Sequence, residues 1–482
     1  MPTFTRRGLL AAGAALAALP LIPARARAAS DARRLAATTR TLDVRGRAVP
    51  VMGLLGPDGR PGLALDPGER FRVDLVNDLA EPTIIHWHGQ IPPNAQDGVP
   101  DNPLPALAPG EARSFDFAAR PGTHWMHSHL ALQEMALLAA PLIVRRAQDL
   151  AEDRQEVVMF LHDLSFDPPA QVLARLGIGE PEGGAEAMGG MAMGGMEMGG
   201  MAGMEPGEPM EVDVNDIAFD AYLANDRTLD DPEVVAVEPG GRLRLRVINA
   251  AAATAFWIDT GALPARLVAV DGEDVEPVAG SRFGLSMGQR LDLLLDLPAG
   301  GGAFPVLALR EAAPERAGIV LATPGAAVPR LPVTGDAPAP IFDADLAQEG
   351  GLRASSPLPD RAADRAPMLT LAGSMSPYLW TINGRAWPDA VPTEARRGER
   401  VELTFRNASM MAHPMHLHGH AFQVVDVGRG RFAGAVRDTV MVAPMAAVTI
   451  AFDAGEPADW MLHCHHMPHL AAGMMTALRV AA

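Results

Sequence analysis

The sequence predicts an all-β protein in which one β-sandwich occurs three times. Glycine and proline number 48 and 43 in 482 residues, a content typical of short strands joined by tight turns. In addition, three segments share a turn ending in arginine, followed by alternating apolar and polar residues, the pattern of a strand with one buried face. The three copies are Arg70 with residues 71–77, Arg242 with residues 243–249, and Arg400 with residues 401–407.

The repeat also predicts the domain organisation, since a chain of this length is long enough for about three domains. We expect a first domain at residues 29–148, a second at 149–330 and a third at 368–482. Residues 331–367, rich in Pro, Ala and Asp, are expected to link the second domain to the third. Residues 180–210 are rich in Gly, Met and Glu and too repetitive to pack in a core, so we predict a surface excursion of the second domain.

The charge and the N-terminus limit the partners and the compartment. A formal net charge of −18 argues against nucleic acid as a partner, because phosphate binding needs a basic surface. The only cysteine, Cys464, excludes an internal disulfide. Residues 5–10, Thr-Arg-Arg-Gly-Leu-Leu, open an apolar stretch that resembles a twin-arginine export signal. We therefore expect a signal peptide at residues 1–28 and a mature protein that is periplasmic or secreted and not inserted in a membrane.

Histidine pairs occupy equivalent positions in the first and third copies of the repeat. The pairs lie 16 and 18 residues after the turn arginine: His86, His88, His416 and His418. At the same positions the middle copy has Ile258 and Thr260. The middle domain is therefore predicted to be structural.

Ten of the 14 histidines fall in four short clusters. Residues two apart on a strand share a face, so each His-x-His directs two imidazoles toward one site. The clusters are His-Trp-His-Gly at 86–89, His-Ser-His at 127–129, His-Pro-Met-His-Leu-His-Gly at 413–419, and His-Cys-His at 463–465 followed by His469 and Met474. Four such clusters, two of them at matching offsets, predict metal binding.

The types of ligand narrow the choice of metal. One thiolate, two imidazoles and a weak thioether form the trigonal blue-copper set, which is suited to electron transfer. Cys464, His413, His469 and Met474 supply this set. Zinc would instead use several thiolates, or three protein ligands and an open water position.

With these four motifs in this order, the chain resembles the multicopper oxidases, specifically the exported bacterial type that includes laccase-like and cuprous oxidases. The resemblance covers nearly the whole mature chain. It implies three consecutive cupredoxin-like Greek-key β-sandwich domains in one monomer and four copper ions. It also implies that electrons from a donor enter at a type 1 copper in the third domain, and that O2 is reduced to water at a trinuclear cluster between the first and third domains.

The resemblance assigns ligands by motif position. His413, Cys464, His469 and Met474 match the type 1 ligands, and His86 and His416 match the type 2 ligands. The positions that match the type 3 ligands are His88, His127, His129, His418, His463 and His465. Because Cys464 lies between two of these histidines, the backbone would carry electrons to the cluster.

Other positions bear on protons and on the number of coppers. Asp97 matches an acidic residue that the family places beside the cluster for proton delivery. A second acid, found in some bacterial members six residues after the cysteine, is Leu470 in this chain. The first domain has Ser128 and Thr83 where the third has the cysteine and the first type 1 histidine, so we expect no type 1 copper there.

The electron donor stays open between Cu(I) and phenols or aromatic amines. Thioethers select Cu(I), and the methionines of the Met-rich segment lie among glycines without a helical period: Met188, Met191, Met193, Met196, Met198, Met201, Met204 and Met210. We expect Cu(I) recruitment there and a role in copper tolerance, and Asp438 is a further candidate near the type 1 site. The alternatives are a laccase acting mainly on phenols, a non-catalytic copper-sequestering protein and a relative that has lost catalysis.

Overall fold

The computed structural model describes residues 32–179, 214 and 216–482. The expected signal peptide and the Met-rich segment at 180–210 lie outside the described residues. The regular structure is almost entirely β and forms three consecutive Greek-key sandwiches, which confirms the predicted fold class. Each sandwich encloses a separate apolar core, as period-two alternation requires.

The first sandwich contains two four-stranded sheets in the orders β2-β1-β4-β6 and β3-β8-β7-β5. The strands are β1 (Arg33–Val44), β2 (Arg47–Leu55), β3 (Leu63–Leu65), β4 (Arg70–Asn77), β5 (Ile85–His86), β6 (Ala112–Ala118), β7 (Gly122–Ser128) and β8 (Ala139–Val144). A 3-10 turn (Asn94–Gln96) follows β5, and two short helices, α1 (Ala131–Met135) and α2 (Ala147–Ala151), flank β8.

The middle sandwich pairs a six-stranded sheet, β10-β9-β12-β17-β14-β15, with a five-stranded sheet, β11-β19-β18-β13-β16. Its elements are β9 (Gln155–Leu164), α3 (Pro169–Arg175), β10 (Ala221–Ala224), β11 (Val234–Ala236), β12 (Arg242–Asn249), β13 (Phe256–Asp259), β14 (Ala265–Val270), β15 (Glu273–Gly280), β16 (Arg282–Leu285), β17 (Arg290–Asp296), β18 (Ala303–Arg310) and β19 (Arg316–Ala322).

The third sandwich has the same layout, with sheets β21-β20-β23-β28-β25-β26 and β22-β30-β29-β24-β27. Its elements are β20 (Met368–Met375), β21 (Tyr378–Ile382), β22 (Thr393–Arg396), β23 (Arg400–Asn407), β24 (His413–Leu417), β25 (Phe422–Asp426), β26 (Val436–Arg437), β27 (Thr439–Val442), β28 (Ala447–Asp453), β29 (Ala458–Cys464), α5 (Met467–Ala471) and β30 (Met475–Ala481). The segment before it contains helix α4 (Ala347–Gly351).

Each repeated strand ends in a buried asparagine that fixes the loop leading to the next strand. The side-chain amide of Asn77 donates to the carbonyls of Glu81 and Leu107, at 2.8 and 2.9 Å. Asn249 and Asn407 make equivalent bonds at the ends of β12 and β23. Buried amides of this kind satisfy backbone carbonyls that water does not reach. The repeat therefore positions the start of the strand that carries the histidines.

Strand register brings the histidine motifs together in pairs. The antiparallel pairing of β5 with β7 places His86 opposite His127, and that of β24 with β29 places His416 opposite His463. Directly opposed residues on paired strands have side chains about 5 Å apart on the same face. The first and the third domain therefore each present several histidines on one face of a sheet.

The segment at residues 331–367 packs against the third sandwich. Phe342 and Leu346 are buried in its core, and Glu349 in α4 pairs with Arg437 at the end of β26.

Candidate metal centres

A mononuclear site lies at one end of the third sandwich. His413 begins β24, Cys464 ends β29, and His469 lies in α5, so three elements converge on it. The Cys464 Sγ lies 3.6 Å from His469 Nδ1 and 3.8 Å from His413 Nδ1, and the two nitrogens are 3.1 Å apart. Met474 is fully buried, and its carbonyl accepts from the Cys464 amide at 3.0 Å. The structure thus brings the four predicted type 1 residues together.

Burial sets the protonation of these groups. It raises the pKa of the Cys464 thiol, and it lowers the pKa values of His413 and His469. Neutral imidazoles have a free lone pair for a metal, whereas the thiol must lose its proton on metal binding. The donor set therefore fits a soft cation that forms a strong thiolate bond, as copper does.

Two residues contact the imidazole nitrogens of His413 and His469 that face away from Cys464. Ser409 Oγ lies 2.8 Å from His413 Nε2, and Asp216 Oδ2 lies 3.1 Å from His469 Nε2. The Asp216 side chain is fully buried and also accepts from the Tyr378 hydroxyl. Such partners fix the orientation of metal-binding histidines. Sequence reasoning missed Asp216, because no motif marks it.

Eight histidines from the first and third domains form a second, larger cluster. Its members are His86, His88, His127, His129, His416, His418, His463 and His465. His86 and His416 face each other with their Nε2 atoms 3.4 Å apart. His418 Nε2 lies 3.1 Å from His463 Nε2, with His129 completing that group. The other group joins His88, His127 and His465, whose ring centroids lie 5.0–5.5 Å apart.

Several ring nitrogens in this cluster are buried and have no hydrogen-bond partner in the described part of the chain, which indicates whether the cluster suits a metal ion. His129 Nε2 and both ring nitrogens of His465 are buried without a hydrogen-bond partner within the described residues. Leaving buried polar atoms unpaired is unfavourable. Burial also lowers the pKa of His129 and lowers that of His465 to about 3. Neutral, unpaired imidazoles that point into a common space fit metal ions.

Two aspartates hold the cluster in a pseudo-symmetric way. The backbone carbonyl of Asp97 accepts from His86 Nδ1 at 2.8 Å, and its carboxylate accepts from His418 Nδ1 at 2.8 Å. The carbonyl of Asp438 accepts from His416 Nδ1 at 2.9 Å, and its carboxylate from His88 Nε2 at 3.0 Å. Each aspartate therefore joins a histidine of its own domain to one of the other. Asp438, expected near the type 1 site, lies instead at the cluster.

Glu134 in α1 is a third carboxylate at the cluster, and sequence reasoning missed it. Its Oε2 lies 2.7 Å from His127 Nδ1, and its Oε1 lies 3.8 Å from His465 Nδ1. Burial raises its pKa to about 7. Glu134 lies six residues after Ser128, as Leu470 lies six residues after Cys464. Aligning the two copies at these residues would have revealed it.

A cupredoxin-like sandwich with a His2CysMet site beside an eight-histidine cluster defines a copper redox protein. Multicopper oxidase family models match residues 38–149, 197–323 and 360–482. The chain is 32% identical over 431 residues to the multicopper oxidase MmcO of Mycobacterium tuberculosis, covering 85% of this chain and 79% of that protein. It is 26% identical to copper resistance protein A of Escherichia coli, covering 88% of each.

Solved structures share the fold. Fet3p, a multicopper oxidase that functions in iron import, superposes with a TM-score of 0.73 at 17% identity, over 93% of this chain and 90% of that one. The laccase of Botrytis aclada gives 0.73 at 19% identity, over 92% and 87%.

The chain belongs to the multicopper oxidase family. It is an oxidoreductase that uses O2 as electron acceptor, and its cofactor is copper, four ions of types 1, 2 and 3.

Proposed function

We propose that electrons from a donor enter at His413, Cys464, His469 and Met474 and reduce O2 at the eight-histidine cluster. The observation that carries the proposal is the position of Cys464, whose chain neighbours His463 and His465 lie in the two different groups of the cluster. Bound copper supplies the one-electron redox chemistry at the first site and the binding and reduction of O2 at the second. The protein supplies a covalent path of one residue from the thiolate to each group.

The assigned ligands follow the geometry. We propose His86 and His416 for the type 2 copper. For the type 3 pair we propose His88, His127 and His465 on one copper and His129, His418 and His463 on the other. Apart from His129, which is partly buried, these histidines are at most 1% exposed, so the protein excludes bulk water from the cluster.

Asp97 is proposed to hold a proton for the reduction of O2, which consumes four protons per molecule. One carboxylate oxygen, Oδ2, accepts from His418 Nδ1. The other, Oδ1, is buried without a hydrogen-bond partner within the described residues. His86 Nδ1 lies 3.4 Å from Oδ1 but donates to the Asp97 carbonyl, so Oδ1 keeps its lone pairs for a proton. The position of Asp97 between the type 2 and type 3 histidines supports this role.

We further propose Cu(I) as the donor. The Met-rich segment lies outside the described residues, but the residues on both sides of it pack near the mononuclear site. Ile178 packs against the third-domain core and against a small apolar cluster that includes Met467, and Asp216 contacts His469. A methionine-rich segment attached at both ends to this site would raise the local concentration of Cu(I) there. The similarity to copper resistance protein A also favours a role in copper tolerance.

Deleting residues 180–210 tests the Cu(I) proposal. The KM for Cu(I) should rise about tenfold or more, because the effective concentration supplied by the segment is lost. Turnover of a phenol should stay unchanged. A matched variant keeps the length and replaces the eight methionines with serine, which separates the thioethers from the segment itself. Unchanged Cu(I) oxidation in both variants would favour the laccase alternative, and copper binding without O2 consumption would favour sequestration.

Export through the twin-arginine route is proposed from residues 1–28. Within the residues that the structure describes, no helix has the length and apolarity to cross a bilayer. Cell fractionation of the Arg6→Lys, Arg7→Lys double variant tests the route. The variant should remain in the cytoplasm, and its appearance in the periplasm or medium would contradict the proposal.

A further inference from the structure

Arg290, the first residue of β17 in the middle sandwich, contacts all three domains. Its side chain is fully buried. Its Nε donates to the carbonyl of Thr123 in the first domain at 3.1 Å. Its two terminal nitrogens donate to the two carboxylate oxygens of Asp438 in the third domain, at 2.7 and 2.5 Å. Two-point contacts of this kind fix the plane of a carboxylate as well as its charge.

Asp438 passes this constraint on to a cluster histidine. Its Oδ1, which accepts from Arg290, lies 3.0 Å from His88 Nε2. His88 Nδ1 points the other way, 3.4 Å from His127 Nε2. A neutral imidazole carries its proton on one of its two nitrogens. When Nε2 carries that proton and donates a hydrogen bond to the carboxylate, the lone pair of Nδ1 is free to bind copper.

The turn before Arg290 adds to the contact. Gly288 has a φ of +77°, and a Cβ atom there would lie 2.9 Å from the His465 ring and 3.3 Å from the His88 ring. The backbone of the middle domain therefore packs directly against two histidines of one cluster group. The pseudo-symmetric Asp97 has no arginine partner within the described residues. The constraint is one-sided, and it comes from the side on which the middle domain packs.

We propose that Arg290 is a positioning residue for the oxygen-reducing cluster, acting through Asp438 on His88. The middle domain contributes no histidine to the cluster, yet it would set the ring orientation and copper affinity of one group. The inference rests on the proposed ligand assignment. It goes beyond the structural role that the sequence predicts for this domain.

The experiment compares Arg290→Gln with a matched control, Arg246→Gln, in the copper-loaded full chain. Arg246 is also a buried arginine of the middle domain that pairs with carboxylates and donates to Thr123, at its Oγ1. Within the described residues, its partners Asp149, Glu156 and Asp292 contact no histidine of the cluster, whereas Asp438 does. Both variants should melt at a lower temperature. Only Arg290→Gln should lose copper from the cluster and lower kcat for O2 consumption by about 10- to 100-fold. The blue absorption and the donor KM should stay near wild type in both.

A double-mutant comparison tests whether Arg290 acts through Asp438. Asp438→Asn should reproduce the loss of Arg290→Gln, and combining the two should add little. Arg290→Lys should recover part of the copper content, because it keeps the charge but not the two-point contact. If Arg290→Gln does not fold, Arg290→Lys and Asp438→Asn give the same comparison.

Four retained coppers with unchanged kcat in Arg290→Gln, or equal copper loss in Arg246→Gln, would overturn the inference. Wild-type protein that consumes no O2 would instead overturn the proposed function, so the two failures are distinguishable.

Discussion

The first and third domains have the same backbone arrangement around the mononuclear site but different side chains at its ligand positions. In the third, β24, β29 and α5 bring together His413, Cys464 and His469. In the first, Thr83 just before β5, Ser128 at the end of β7 and Gln133 in α1 lie together at the equivalent positions. The backbone is the same, since the amides of Ser128 and Cys464 donate to the residue ten positions later, at 2.9 and 3.0 Å. The side chains at these three positions thus decide whether the site can hold copper.

In the first domain, the side chains at these positions form a hydrogen-bonded network centred on Gln133. Gln133 Oε1 accepts from Thr83 Oγ1 and Ser128 Oγ at 2.7 and 2.8 Å. Its Nε2 donates to Glu81 Oε1 and to the Pro82 carbonyl, at 2.7 and 2.8 Å. Buried polar groups are stable only when such a network is complete. Both domains keep this backbone arrangement because the same strands lead to the cluster histidines, and only the third has the ligands proposed for the electron-entry copper.

The largest expected effect comes from making the third domain resemble the first. Cys464→Ser removes the thiolate, so the blue absorption should vanish. Losing a hydrogen-bond partner of a metal ligand already costs up to about 100-fold in activity. Losing the ligand itself should therefore lower O2 consumption to below about a hundredth of wild type. The cluster should keep its three coppers, since its eight histidines are unchanged. Absorption, copper content and an oxygen electrode measure these outcomes.

The reciprocal control is Ser128→Cys. It should create no blue site, because Thr83 and Gln133 provide no imidazoles. A blue band in that variant would show that the cysteine alone decides the difference between the domains.

A smaller effect is expected at Glu134, where the asymmetry is reversed and only the first domain has the acid. Glu134→Leu should weaken copper retention at the cluster by about 10- to 100-fold, because His127 Nδ1 loses its carboxylate neighbour and keeps only the Ser128 carbonyl as a partner. Titration with a copper chelator measures this retention. Leu470→Ala, at the equivalent position of the third domain, should lower stability and leave copper retention unchanged. Equal copper loss in the two variants would mean that packing of α1 and α5, and not the carboxylate, matters.

The smallest effect concerns the hydrogen-bonded network itself. Gln133→Leu leaves Thr83, Ser128 and Glu81 without their buried partner, which should lower the free energy of unfolding by about 2–4 kcal/mol. Denaturant unfolding of the copper-loaded protein measures the loss, and the blue absorption should not change. A neutral result would indicate that the network does not stabilise the first domain.

The sequence predicts more of the ligands than of their partners. The twelve proposed copper ligands lie in four short motifs, and most of them are paired at the two-residue spacing of a strand, so they can be recognised from the sequence alone. Ser128 and Thr83 are predictable too, because the copies align by counting.

The side chains that contact the ligand histidines or their carboxylate partners are harder to predict from the sequence. Asp216 reaches His469 from 253 positions away, and Arg290 reaches Asp438 from 148 positions away. Such contacts depend on how whole domains pack, which local periodicity does not encode. Glu134 is the intermediate case, since comparing the two copies residue by residue would have found it.

The most direct test of coupled copper sites is the number of donor electrons consumed per O2 by the copper-loaded protein. Stopped-flow absorption follows the donor and the blue band while an oxygen electrode follows O2. We predict a blue protein with four coppers per chain that consumes four electrons per O2 without accumulating hydrogen peroxide. A protein without the blue band, or one that consumes two electrons per O2 and releases peroxide, would contradict the account.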